Sequence, residues 1–211
     1  MDAYPDVIAA IQQLDCDTDK MKVLIHQFAT VSENGESVKM STRKANFITL
    51  DELLDDVGKD VLRYFFLMRG MNTHLNFDID IAKSESDENP VFYLQYAYAR
   101  ICNIITRATE LNYDMKQPDL SLLSTEIETE IINNLISFPD CIEEVTTKLE
   151  PQIIINYLQN IALKFHRFYS TNKVLTEDKE LSNSRLLLIK AIQIVLRNGL
   201  DIIGISHPER M

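Results

Sequence analysis

The chain has 211 residues, a formal net charge of −11 and 45% hydrophobic residues, so it can build a sizeable core, and intrinsic disorder is excluded. Only 5 glycines and 6 prolines occur, which argues for long helices and against a turn-rich β fold. No run is apolar enough to span a bilayer, and the opening Met1-Asp2-Ala3-Tyr4-Pro5-Asp6 lacks the pattern of an export signal.

Residues 4–14 read as a short helix with Val7, Ile8, Ile11 and Leu14 on one face. Lys22 to Val31 reads as a strand, and Asn34-Gly35 after it as a tight hairpin-type reversal. One helix and one strand cannot make a domain, so this segment reads as the end of a unit whose start is missing. From Thr49 the pattern turns helical. Thr49 with Glu52 forms a capping box, followed by Leu50, Leu53, Leu54 and Val57. A second helix begins near Lys59. Residues 75–81 alternate between apolar and polar, as a short strand or an extended link does. Asn89-Pro90 opens a long helix to about residue 111. Further helices are expected over 119–136, 138–149, 151–171 and 178–198. The body from residue 49 onward therefore reads as an all-α bundle.

The net negative charge argues at first against a nucleic-acid partner. Its distribution weakens that objection, and bulk charge does not decide the partner: residues 76–150 hold 15 acids and 5 bases, whereas residues 151–211 hold 8 bases and 5 acids. The cysteines Cys16, Cys102 and Cys141 have neither pairing nor metal spacing, as expected of reduced thiols in a cytoplasm. The histidines His26, His74, His166 and His207 share no ligand spacing, so no metal site is expected. Asp78 and Asp80, two apart, read as a solvated face, and His166 as a core or seam residue.

Two features carry chemistry. Residues 38–46 read Val-Lys-Met-Ser-Thr-Arg-Lys-Ala-Asn, which puts the cations Lys39, Arg43 and Lys44 and the hydroxyl of Ser41 on one loop. By spacing alone this is a solvated basic loop, or a loop that closes over a triphosphate and steadies charge on a leaving pyrophosphate. On the 90–111 helix, Leu94, Ala97, Tyr98, Ile101, Ile104, Ile105 and Ala108 share a core arc. Tyr93, Tyr96, Arg100, Asn103 and Arg107 fall on the neighbouring arc. Such a stripe either packs as a helix–helix seam with its hydroxyls outward, or presents stacking surfaces and donors to unpaired bases.

Lys39-Met40-Ser41-Thr42-Arg43 resembles the KMSKS loop of class I aminoacyl-tRNA synthetases, and the wider string from Val38 to Asn46 resembles the arginyl branch. Thr42 stands in place of the second lysine, which leaves Arg43 and Lys44 to complete the phosphate contacts. Ala45 replaces a usual glycine and stiffens the loop. Asp60-Val61-Leu62-Arg63, with the following Tyr64 to Arg69, resembles the segment that names the DALR anticodon-binding domain. Asn89 to Tyr96, Ala99-Arg100-Ile101, Phe165 to Tyr169 and the ending Asn198 to Met211 resemble that family in the same order. The family's HIGH motif has no counterpart.

The resemblance implies an all-α helical bundle, residues 49–211, preceded over residues 1–48 by a helix–strand remnant of a Rossmann-like catalytic domain. It implies an enzyme that joins arginine to its tRNA with ATP, Mg²⁺ serving as counter-ion, by way of an arginyl-adenylate. Lys39, Ser41 and Arg43 would act in catalysis, and Lys39, Met40, Ser41, Arg43 and Lys44 would bind the ATP phosphates. Tyr93, Tyr96, Arg100 and Met211 would contact the anticodon region, with Met211 as the natural terminus. The whole enzyme is expected to be a cytoplasmic monomer with arginine, ATP and arginine tRNA as partners, and no DNA or membrane. The chain by itself is expected to be inactive, to hold no tightly bound cofactor and to self-associate through its truncated face. The competing readings are another class I synthetase, cysteinyl or methionyl, or a non-catalytic helical interaction module.

Overall fold

The computed structural model describes residues 3–38, 48–84, 86, 88–113 and 118–211. α1 (Tyr4–Gln12) starts at a proline whose fixed φ suits a first helical turn. None of residues 3–30 is buried. β1 (Ala29–Glu33) and β2 (Glu36–Ser37) form an antiparallel hairpin around Asn34 and Gly35, whose φ values of 54° and 76° are those a two-residue reversal of this kind requires. The strand expected over 22–31 starts only at Ala29. Residues 21–28 are exposed, and although the Gln27 amide bonds the Met71 carbonyl at 2.9 Å, no ladder follows until Ala29. β-Prone side chains need a neighbouring strand to become one.

That neighbour is β3 (Leu75–Asp78), parallel to β1 with Ala29 opposite Leu75 and Val31 opposite Phe77, in the sheet order β2-β1-β3. The alternation over 75–81 thus begins as a strand and ends in a helix. The Asp78 carboxylate accepts the amides of Asp80 and Ile81 at 3.0 and 3.1 Å and starts α4 (Ile79–Lys83). Asp78 and Asp80 are therefore not a merely solvated pair: Asp80 also accepts the Asn34 amide at 2.6 Å and steadies the hairpin.

The helical body opens at α2 (Leu50–Val57). Thr49 and Glu52 close the capping box at 3.2 and 2.7 Å, and the Thr49 amide and hydroxyl, both donating to the Glu52 carboxylate, hold that carboxyl below its ordinary range. Gly58, at φ 78°, turns the chain into α3 (Lys59–Leu67). α5 (Pro90–Glu110) follows, capped by Asn89. The helix expected over 119–136 is interrupted. A short 3₁₀ turn at Leu120–Leu122 precedes α6 (Glu126–Ile136), because Thr125 and Glu128 form a second capping box that starts a new helix. α7 (Phe138–Lys148), α8 (Gln152–Thr171) and α9 (Lys179–Ile203) complete the bundle.

The core lies where α5, α8 and α9 meet, around fully buried Leu94, Ile101, Leu158, Phe165, Ile189 and Ile192. α8 and α9 approach so closely at Gly199 that an added Cβ would sit 2.4 Å from a Leu158 methyl. Arg185 on α9 donates to buried Glu128 on α6 at 2.8 Å and to the Lys173 carbonyl at 2.8 Å, which ties both helices to the loop after α8. Among the described residues no helix is long and apolar enough to cross a membrane.

A candidate nucleic-acid interface

The Asn89 cap fixes the start of α5 twice over. Its side chain accepts the Val91 amide at 3.0 Å and donates to the Ala82 and Ser84 carbonyls at 3.1 and 2.9 Å. With the first turn held and Leu94, Ala97, Tyr98, Ile101 and Ala108 buried, the neighbouring arc of α5 faces α8 and the groove beside it, while Ile104 and Ile105, expected in the core, are only partly covered. α8 brings His166 and Tyr169 to that groove, one helical turn apart.

The side chains form a ladder of rings. The His166 ring lies 4.6 Å from that of Tyr93 and 6.0 Å from that of Tyr96, nearly parallel to the latter at 13°. Tyr96 in turn stacks on Phe92 at 6.2 Å. The Arg100 guanidinium sits between two tyrosines, 4.5 Å from the ring of Tyr96 and 4.8 Å from that of Tyr169, and donates to the Tyr96 hydroxyl. A cleft of about 300 Å³ opens beside it, walled by Tyr96, Arg100, Asn103, Arg107, Tyr169 and Met211. It runs on, through the shared Ile104, Arg107 and Tyr169, into a hollow of about 530 Å³ that reaches Lys173 and Leu175. Such a groove offers aromatic faces, an apolar floor and cations at its edge.

The sequence-predicted residues divide. Tyr96, Arg100 and Met211, up to 115 positions apart, meet in one cleft. Tyr93 is not in its wall: it is half buried against His166, at the seam between α5 and α8. The two readings left open by the spacing thus meet on one helix: Tyr93 and Tyr96 are both half buried against His166, and Tyr96 and Arg100 also line the cleft. Tyr169 and His166 escaped reading as site residues because they come from another helix; only the aromatic cluster Phe165 to Tyr169 signalled them. Lys39, Met40, Ser41, Arg43 and Lys44 lie outside the described residues. Among the described residues no group of His, Cys, Asp and Glu is arranged to hold a metal ion. Cys16 is exposed, Cys102 and Cys141 are buried, and all are free thiols; burial pushes the buried ones up from their usual range.

Comparison with known proteins matches the same residues. The family described as the DALR anticodon binding domain matches residues 94–211, and that of class I (M) tRNA synthetases matches residues 4–108. The arginine–tRNA ligase of Salinibacter ruber is 45% identical over 210 residues, covering 99% of this chain and 37% of the ligase. That of Chlorobaculum tepidum is 47% identical over 215 residues, covering 100% and 39%. A solved structure from Campylobacter jejuni, described as an arginyl-tRNA synthetase, aligns with a TM-score of 0.86 at 29% identity, covering 99% of this chain and 45% of that one. The Thermus thermophilus arginyl-tRNA synthetase shares the fold, with a TM-score of 0.71 at 24% identity over 86% of this chain and 34% of its own. The chain spans less than half the length of these relatives. With the DALR match extending over more than half of its residues, and arginine–tRNA ligases aligned along its whole length, the chain belongs to the DALR anticodon-binding domain family in the form that arginyl-tRNA synthetases carry.

Proposed function

We propose that the chain is the C-terminal, tRNA-reading part of an arginine–tRNA ligase, and that the cleft between α5 and α8 takes unpaired anticodon bases of arginine tRNA. The observation that carries this reading is the meeting of Tyr96, Arg100, Tyr169 and Met211 around one opening. Anticodon-loop bases are unstacked and present π faces, and Tyr169, 40% exposed, offers one to stack on. Arg100, held between its tyrosines, is already partly ordered and has donors beyond the one on Tyr96 to offer a base edge or phosphate. Arg107 and Lys173 at the rim suit the backbone phosphates. Tyr93 acts behind this wall, holding His166 and so the tilt of Tyr96.

The test is titration of an anticodon stem-loop of arginine tRNA with the chain, followed by fluorescence anisotropy. Arg100→Ala removes a cation and a stacking partner worth about 1–3 kcal/mol, so binding should weaken about tenfold or more while the melting temperature stays put. Unchanged affinity would rule the assignment out.

In the whole ligase, ATP and arginine would give arginyl-adenylate and pyrophosphate, and the arginyl group would then pass to the terminal ribose of the tRNA with release of AMP. Lys39, Ser41 and Arg43, with Met40 and Lys44, would hold the ATP phosphates as pyrophosphate leaves, and Mg²⁺ would serve as the counter-ion of those phosphates. We place the division between catalytic remnant and reading domain at residues 48 and 49. The exposed Val7, Leu14, Val23, Leu24, Ile25 and Phe28 suit a face covered by the rest of the ligase, and the chain alone would self-associate through it. The free thiols fit a reducing cytoplasm.

A further inference from the structure

We infer that Asp60, Gln95 and Ser206 form a clasp that positions the C-terminal tail, and that through this clasp α3 sets the affinity of the cleft for single-stranded RNA. The RNA part rests on the reading of the cleft proposed above. α9 ends at Gly204, whose φ of 69° allows the Ile205 amide to fold back onto the Leu200 carbonyl at 2.9 Å, with Ile205 buried behind it. Beyond Ile205 no residue is buried and none is in a helix or strand. A terminus of this kind ordinarily frays, yet Met211 stands in the wall of the cleft.

What holds it is a set of bonds on Ser206. Its amide donates to one Asp60 carboxylate oxygen at 3.2 Å, and its hydroxyl donates to the other. The two hydrogens of the Gln95 amide nitrogen are shared among the Ser206 carbonyl at 2.9 Å, its hydroxyl at 3.1 Å and an Asp60 oxygen at 3.0 Å. One turn along α3, Arg63 donates to the Ile203 carbonyl, so α3 grips the chain on both sides of Gly204. A Cβ at 204 would lie 2.7 Å from the Arg63 Nε, so a larger residue there would displace the Arg63 side chain as well as strain the backbone. Past the clasp the His207 ring rests 5.0 Å from that of Tyr98, and its Nε2 is 3.1 Å from an Asp201 oxygen. Gln95 and Tyr96 are consecutive on α5: one holds the tail and the next lines the cleft. Bonds to a carboxylate are the stronger kind, so the clasp, with the His207 contacts just beyond it, anchors the last five residues. Asp60, Gln95 and Ser206 lie outside the cleft wall, so they act as positioning residues.

The experiment compares the wild-type chain, Asp60→Ala, Ser206→Ala and a chain lacking Pro208 to Met211, by hydrogen exchange of the 204–211 peptide and by anisotropy with the anticodon stem-loop. Asp60→Ala should speed exchange of the tail about tenfold or more while the α5 and α8 amides stay protected. Its RNA affinity should fall to that of the shortened chain, and combining the two changes should bring no further loss. Ser206→Ala, which removes one hydroxyl and leaves α3 intact, should weaken RNA binding by about two- to tenfold and so covers the case in which Asp60→Ala unfolds. Unchanged tail exchange in both variants, wild-type affinity with a loosened tail, or additive losses would each overturn the inference. A wild-type chain that binds no stem-loop overturns the reading of the cleft instead, and the exchange data then judge the clasp by themselves.

Discussion

The segment 3–28 and the bundle from Pro90 onward both present apolar residues at helical or strand spacing, yet they end up in opposite surroundings. In the first, Val7, Leu14, Leu24 and Phe28 are exposed, Phe28 at 83%. In the second, Leu94, Leu158, Phe165 and Leu186 are fully buried. The difference lies in what is available to pack against. α5, α8 and α9 cover one another, whereas α1 meets no partner face among the described residues. An apolar stripe is an offer of burial, and only a second stripe completes it.

The largest expected effect is in the bundle. Arg185→Ala leaves Glu128 charged and buried, which should cost about 3–5 kcal/mol of unfolding free energy, measured by urea denaturation. Glu128 also gives this half a pH signature. Burial pushes its carboxyl up, but the Thr125 amide and hydroxyl and the Arg185 guanidinium more than offset that, and it rests below the ordinary carboxylate range. Its folded value is thus depressed, so its stabilisation is complete above the unfolded value of about 4.3 and is lost as pH falls through the folded one. Glu128→Gln should remove that part of the acid limb in stability measured against pH.

Next in size is the contact between α8 and α9. Leu158→Ala should cost about 2–5 kcal/mol and Gly199→Ala about 1–3 kcal/mol. Because the new Cβ at 199 falls on the Leu158 methyls, the double variant should cost less than the sum, and strict additivity would show that this approach is not tight. The smallest effect belongs to the N-terminal half. Phe28→Ser should shift stability by no more than about 0.5 kcal/mol. A loss near that of Leu158→Ala would mean that residues 3–28 pack in solution, and the contrast between the two regions would collapse.

Much of the helical body was legible in advance because its signals are local. Thr49 with Glu52 and Asn89 with Pro90 mark helix starts that the structure realises within a residue. Periodicity alone predicts a helix from 119, but the capping box of Thr125 with Glu128 starts it at Glu126, because a cap outweighs a spacing pattern. Residues 22–28 failed for a different reason, since a strand exists only with its ladder, and the partner of β1 lies 46 residues on at β3. The candidate site was half legible. Tyr96 and Arg100 share an arc that helical spacing predicts, but the facing Tyr169 comes from another helix.

The sequence by itself thus settled the class of the fold, the starts of most helices and the aromatic and cationic stripe of α5, because caps and periodicity act within a few residues. Which of those residues share a cleft was decided only by tertiary packing. Met211 reaches Arg100 because Asp60, 146 positions from Ser206, holds the tail beside α5. No pattern along the chain encodes such a bond, since its energy exists only once helices distant in sequence have been brought together.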